Sequence, residues 1–224
     1  MEIEELLERL DGNKVRVVYD SPYAIRAFIF SHFLPKFPNV RCVVYTDTMR
    51  RRLERAYSSL RRFSKSKSER ETCPEVICVG SEKIPFGKLL ASIPLRDSIS
   101  NLLAELLNVL NFRGGGEEKK SCSDARVALF GFYMLKAFYP ERTIDYFRFI
   151  EKIDCTLFDF WPEEFCRGMD DLVLRKAYDV TVRLKHLPYH DETYSISISE
   201  SILFDVPPAQ RVYQLKDCRF VPSD

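Results

Sequence analysis

The sequence predicts an α/β domain on a mostly parallel sheet, with antiparallel strands added at a carboxy-terminal edge. Three observations carry this. Short apolar, β-branched runs such as Val15–Tyr19, Val40–Tyr45 and Glu75–Val79 alternate with helical stretches, the pattern of buried parallel strands joined by crossover helices. The last fifty or so residues switch to period-two alternation, as in Thr193–Ile198 (TYSISI), which half-exposed antiparallel strands show. A length of 224 residues, with 46% hydrophobic and 30% charged content, suits one globular core, so residues 1–224 are read as a single domain.

In order, Met1–Leu10 spaces Ile3, Leu6, Leu7 and Leu10 as one helical face, and Asp11-Gly12-Asn13 ends it. Val15–Tyr19 is the first strand, Asp20–Ala24 a tight loop and Ile25–Leu34 a buried helix closed by Pro35 and Pro38. Val40–Tyr45 is the second strand. Asp47 or Thr48 caps a basic helix that runs to about Phe63. Residues 64–72 (SKSKSERET) read as an exposed loop, Glu75–Val79 as a third strand and Lys88–Ile93 as a further short one. Asp97 or Ser98 caps the apolar helix Ile99–Leu110, and the glycine run within residues 113–123 reads as a flexible linker. Ala125–Phe132 is a buried strand. Tyr133–Ala137 and Thr143–Ile153 are helical, Cys155–Phe160 is a strand, and Glu163–Lys176 is a helix weakened at Gly168. Ala177–Leu184, Thr193–Ile198 and Arg211–Leu215 are the edge strands.

The stretch between the first strand and its helix is where a nucleotide-binding protein keeps its phosphate loop. Laid over G-x-x-x-x-G-K-[ST], the register falls on Asp20, then Ser21, Pro22, Tyr23 and Ala24, then Ile25, Arg26 and Ala27. Both glycines are replaced, arginine stands for lysine, and a methyl group stands where a hydroxyl would hold Mg²⁺. Two like charges ~4 Å apart repel by about 4 kcal/mol at an effective dielectric near 20, so Asp20 is a poor neighbour for phosphate.

The order of these elements resembles the RecA/KaiC-like P-loop ATPases, and more closely an uncharacterised group of archaeal proteins that keep this core without its nucleotide motifs. The residues that carry the resemblance are VVYDSPYAIRAF, VVYTDT, PEVICVG, VALFGF and TLFDFWPEE, followed by YDVTVRL and TYSISISES, from about Lys14 to Val221. It implies a three-layer RecA-like domain of the P-loop NTPase type. Where that family ends an apolar strand with a metal-orienting aspartate, Val127–Phe130 is followed by Gly131. The carboxylate expected after the second strand is Asp47, which on its own reads as a helix cap.

Charge is unevenly placed. Between Arg50 and Arg70, nine Lys/Arg face Glu54 and Glu69, a local +7 in a chain of net +1. Arg50, Arg51, Arg52, Arg55, Arg61 and Arg62 are accordingly candidates for binding nucleic acid or an acidic partner, against the plainer reading of a solvated helix face. Phe158, Phe160, Trp161 and Phe165 are either core packing or a self-association surface. His32 reads as structural; His186 and His190 flank a turn with Asp191, a weak metal set. Seven scattered cysteines without a C-x-x-C pair fit free thiols in a reducing cytoplasm. No apolar run is long enough to cross a bilayer, and the acidic amphipathic start is not a targeting segment, so no membrane role is expected.

The function expected from these residues is a non-catalytic RecA-like domain, without cofactor or metal, that acts through a protein partner or a second copy. Two alternatives stand beside it. One is a nucleic-acid-associated protein using Arg50–Arg70; the other is an enzyme with a repurposed pocket near Asp20, Arg26 and Asp47.

Overall fold

A computed structural model of the chain describes residues 2–63, 73–95, 98–111, 125–188 and 192–223, without the side chains of 61–63 and 111. Both predicted loops, 64–72 and 113–123, and the predicted residues Asp97, His190 and Asp191 fall outside these residues. The elements follow one another as α1 (Ile3–Leu10), β1 (Lys14–Tyr19), α2 (Pro22–Phe28), a π-helical turn (Ile29–Phe33), α3 (Leu34–Lys36), β2 (Arg41–Tyr45), α4 (Asp47–Phe63), β3 (Glu75–Val79) and β4 (Lys88–Ile93). Then come α5 (Ile99–Asn111), β5 (Arg126–Phe130), α6 (Tyr133–Phe138), α7 (Thr143–Lys152), β6 (Thr156–Pro162), α8 (Met169–Arg175), β7 (Val180–His186), β8 (Thr193–Ser201), β9 (Ala209–Lys216) and β10 (Arg219–Pro222).

All ten strands form one sheet in the order β10-β9-β8-β7-β1-β6-β5-β2-β3-β4. From β7 to β4 every neighbouring pair is parallel; from β7 to β10 every pair is antiparallel. The central strands β1, β2, β3, β5 and β6 are almost wholly buried, which is why they read as continuous apolar runs.

Alternation along β6 divides its side chains between two helical layers. Phe158 and Phe160 meet Phe33 of the π-helical turn, with ring centroids 4.8 and 5.5 Å apart. That face also packs α4, through Phe30 on Tyr57. Asp159 and Trp161 point to the opposite face, where Tyr146 of α7 covers them. Phe158, Phe160 and Trp161 are buried and Phe165 is partly so, which settles the aromatic cluster as core and removes it as a self-association surface.

The structure differs from the expected elements in four places. The helix after β1 begins at Pro22 rather than Ile25, because Ser21 Oγ accepts the Ala24 N–H at 3.2 Å and Pro22 fits the first helical position. β7, expected as an antiparallel edge strand, runs parallel to β1 and is antiparallel only to β8. The Glu163–Lys176 helix is broken into a 3₁₀ turn, Glu163–Phe165, and α8, which starts after Gly168 at φ +86°. β10 was not expected; it folds back on β9 through Asp217 and Cys218, at φ 49° and 60°. Both central residues of a two-residue hairpin turn take the left-handed region, and Asp-Cys lacks the glycine that advertises it in sequence.

Candidate functional site

A cavity of about 710 Å³ opens at the carboxyl ends of β1, β6 and β5. The chain leaves β1 for β2 by passing over β6 and β5, so the strand order reverses here, the usual position of a ligand crevice in open α/β sheets. Its floor is Tyr19, Phe130 and Phe160 from the strand ends. Ile25, Ile29, Leu53 and Met134 supply apolar walls from α2, the π-helical turn, α4 and α6.

Of the residues placed at the phosphate-loop register, Asp20, Pro22, Ile25 and Arg26 line this cavity; Ser21, Tyr23, Ala24 and Ala27 do not. The amides at the start of α2 are already engaged. Pro22 has no N–H to offer, Ala24 N–H goes to Ser21 Oγ and Ile25 N–H to Ser21 O. Asp20 is fastened sideways to β7: both carboxylate oxygens accept from the His186 N–H, at 3.0 and 3.1 Å, and the Asp20 N–H donates to Leu184 O. Tyr23 is half exposed, its hydroxyl 3.8 Å from Cys218 Sγ; that contact, with partial burial, pushes its phenol up to about 12.

The polar rim collects donors. Arg26 lines the cavity and makes no hydrogen bond or ion pair with another described residue. Arg52 enters from α4 as a charged neighbour of the Tyr133 hydroxyl. Burial holds the Tyr19 and Tyr133 phenols well above and above their ordinary values respectively, so both stay protonated donors, with Glu164 and the two arginines as their charged neighbours. Tyr19, Tyr133, Phe138 and Glu164 were not singled out in the sequence, and Phe160 only as part of the aromatic cluster. The signal available was position: Tyr19, Tyr133, Phe160 and Glu164 lie at, or just beyond, the carboxyl end of β1, β5 or β6, while Phe138 ends α6.

Gly131 lies in the turn after β5 at φ +87°, and a Cβ there would stand 2.8 Å from Tyr45 O and 3.2 Å from Met49 Cβ. The backbone of this turn sits too close to β2 for any side chain, the metal-orienting aspartate included. Asp47 is not in the cavity. Thr46, with Oγ1 accepting from Met49 N–H, occupies the cap position, and Asp47 stands one residue inside α4. Its carboxylate takes hydrogen bonds from Arg50 and Ser81 and pairs with Arg51, which together hold it below the usual carboxylate range. The cluster Asp20, Arg26 and Asp47 is therefore not one site.

The basic helix is also less uniform than its sequence. Arg50 is only 5% exposed, with Nε on Asp47 and Nη1 on Glu54 at 2.6 and 2.8 Å, so it is withdrawn from any docking face. Arg52 belongs to the cavity. Arg51 and Arg55 are exposed, while the side chains of Arg61 and Arg62 lie outside the described residues. His32 is structural: Nδ1 faces Glu4 Oε1 at 2.9 Å and Nε2 accepts the Phe220 N–H at 3.1 Å. Among the described residues no group of three or more His, Cys, Asp or Glu is placed to hold a metal ion, and no helix is long and apolar enough to cross a membrane.

The backbone is similar to that of protein PH0250 from Pyrococcus horikoshii OT3, with a TM-score of 0.63 and 14% identity over 91% of this chain and 94% of that one. It is similar also to a KaiC-like protein, PH0186, of the same hyperthermophilic archaeon, with a TM-score of 0.55 and 12% identity over 96% and 90%. The fold is RecA/KaiC-like. At such identities the likeness is one of fold. The sequence matches no protein-family model and no curated protein.

Proposed function

We propose that this RecA-like domain has given up the nucleoside triphosphate site of its fold and works as a non-catalytic binding or regulatory module. One observation carries the reading: the start of α2 is closed by its own residues, with Pro22 contributing no N–H and Ser21 taking two of the next three amides through Oγ and O. A triphosphate needs several free amides around its β-phosphate and a cation beside it. Ile25 fills the turn where a glycine would let backbone approach, and Ala27 offers Mg²⁺ no oxygen. The partner in this reading is a protein or a second copy of the chain. Buried, unpaired Cys42 and Cys78 support a reducing, cytoplasmic setting.

The test is isothermal titration of the full chain with ATP and Mg²⁺. No heat of binding and no rise in melting temperature are expected; stoichiometric binding in the micromolar range would overturn the reading. Nucleic-acid binding is a second reading, favoured by the exposure of Arg51 and Arg55 on one helix. It predicts DNA retention that falls steeply with salt and is lost in the Arg51→Glu, Arg55→Glu double variant.

A further inference from the structure

We propose that the cavity above β1, β6 and β5 binds a small amphipathic monoanion, an apolar body of medium chain length or two fused rings carrying a single carboxylate-type head. This deepens, and rests on, the reading that the site no longer takes a nucleoside triphosphate.

The cavity's size lies inside the range of about 300–1,000 Å³ common to small-molecule sites. Its interior is hydrocarbon and thioether: Ile25, Ile29, Leu53, Phe130, Met134 and Phe160. Nothing in that set offers a hydrogen bond to a purine, a ribose or a sugar. An apolar body is what such walls remove from water favourably. Phe138 stands on the rim with 61% of its surface exposed, a ring that a bound chain would cover.

The polar groups gather at one end. Tyr19 and Tyr133 are hydroxyl donors, and Arg26 and Arg52 are permanent cations, of which Arg26 makes no ion pair with any described residue. A cluster of donors beside an apolar chamber selects a head group made of acceptors. The same lining sets its charge. Asp20 and Glu164 also line the cavity, so two carboxylates stand against the two guanidiniums and the lining carries no net charge. A polyphosphate would meet these carboxylates as well as the arginines. A single carboxylate beside Arg26 meets far less repulsion, since Asp20 is turned to the His186 N–H.

The experiment titrates the full chain with sodium dodecanoate below its aggregation concentration, with dodecan-1-ol as the uncharged match and ATP with Mg²⁺ as a third ligand. One dodecanoate per chain is expected, with dodecanol at least tenfold weaker. The Arg26→Ala, Arg52→Ala double variant alters only exposed side chains; it should weaken dodecanoate at least tenfold while melting within a few degrees of the parent. Ala137→Trp, which sets a large ring at the exposed rim, should abolish binding. Absence of dodecanoate binding, equal affinity for dodecanol, or binding unchanged in either variant overturns this proposal. Displacement of dodecanoate by ATP with Mg²⁺ overturns the reading under Proposed function as well. Failure of dodecanoate with ATP also silent overturns the pocket proposal alone.

Discussion

Arg16 of β1 and Asp171 of α8 form an ion pair, Nη2 to Oδ1 at 2.5 Å, in which both side chains are 1% exposed. It joins the central strand to the helical layer on the face opposite α2. The guanidinium lies 4.6 Å from the Trp161 ring centroid and 5.8 Å from that of Tyr178, and Nη2 also reaches Cys166 Sγ at 3.2 Å. Asp171 also receives Arg175 Nε at 2.9 Å, so one carboxylate serves two cations. Directly across the β1–β6 register from Arg16 is Asp159, buried completely and accepting the hydroxyls of Tyr146 and Tyr178 at 2.6 Å each. A polar cluster of this kind in an otherwise apolar layer ties specific elements together: one strand residue on β1, one on β6, and partners from α7, α8 and the segment entering β7.

Breaking the pair from one side leaves an uncompensated buried charge. Asp171→Asn is expected to cost about 3–5 kcal/mol in urea denaturation. Replacing both partners, Arg16→Met with Asp171→Leu, should recover most of that loss, since the desolvation of two charges disappears with them. A double variant as unstable as the single one would show that the cluster does more than pair charges.

The two buried aspartates should give stability opposite pH dependences. Burial alone would raise Asp171, but the hydrogen bonds and charges of Arg16 and Arg175 outweigh it and hold the carboxyl below its ordinary value. Its contribution is therefore complete above about pH 3.9 and is lost as pH falls through the lower, folded value. For Asp159 burial wins over the Trp161, Tyr146 and Tyr178 contacts and raises the carboxyl. The folded state then holds its proton longer than the unfolded state, so stability falls as pH rises from about 3.9 through the raised value. Urea melts across pH should show Asp171→Asn with a shallower acid limb and Asp159→Asn without the decline on the rising side.

Gly131 tests how tightly the cavity's turn is held. At φ +87° an L-residue costs roughly 1–2 kcal/mol, and contact with Tyr45 O adds to it. Gly131→Ala should lower stability by about 2 kcal/mol or more, and Gly131→Asp by at least as much, without creating a Mg²⁺ site. Thermal melts with and without Mg²⁺ separate these outcomes; a Mg²⁺-dependent rise in melting temperature for Gly131→Asp would contradict the packing described for this turn.

His32 holds the last strand. Its Nε2 accepts the Phe220 N–H, so Nδ1 carries the proton that faces Glu4. His32→Leu removes that acceptor and leaves a buried amide unpaired, a cost of about 1–3 kcal/mol. Hydrogen exchange should quicken at Phe220 and across β10 while β1 and β6 stay protected. Uniform quickening across the sheet would place the effect in global stability instead.

Arg50 and Arg55 stand five residues apart on α4 and should behave differently. Arg50→Ala loses both a buried stem and two acidic partners, and is expected to destabilise by on the order of 1 kcal/mol. Arg55→Ala, exposed, should melt like the parent. Equal effects in a denaturation series would contradict the burial described for Arg50.

Much of the fold was legible because its signals are local. Apolar β-branched runs mark strands buried on both faces, Ser98 marks a helix start, and the period-two alternation from about Thr193 marks the antiparallel edge. What the chain could not announce depends on residues far apart in sequence. Whether β7 pairs with β1 and whether Asp20 is held by β7 are decided by segments more than 160 positions apart. The cavity is the clearest case: its walls come from β1, α2, α4, β5, α6 and β6, and no one of these segments carries a motif for it. Sequence determined which segments are strands and helices and that the turn after β1 carries no glycine, because those are properties of backbone and residue type. Tertiary packing alone decided that Asp20 is fastened to β7 and that two arginines share an apolar chamber, because such contacts exist only once distant segments meet.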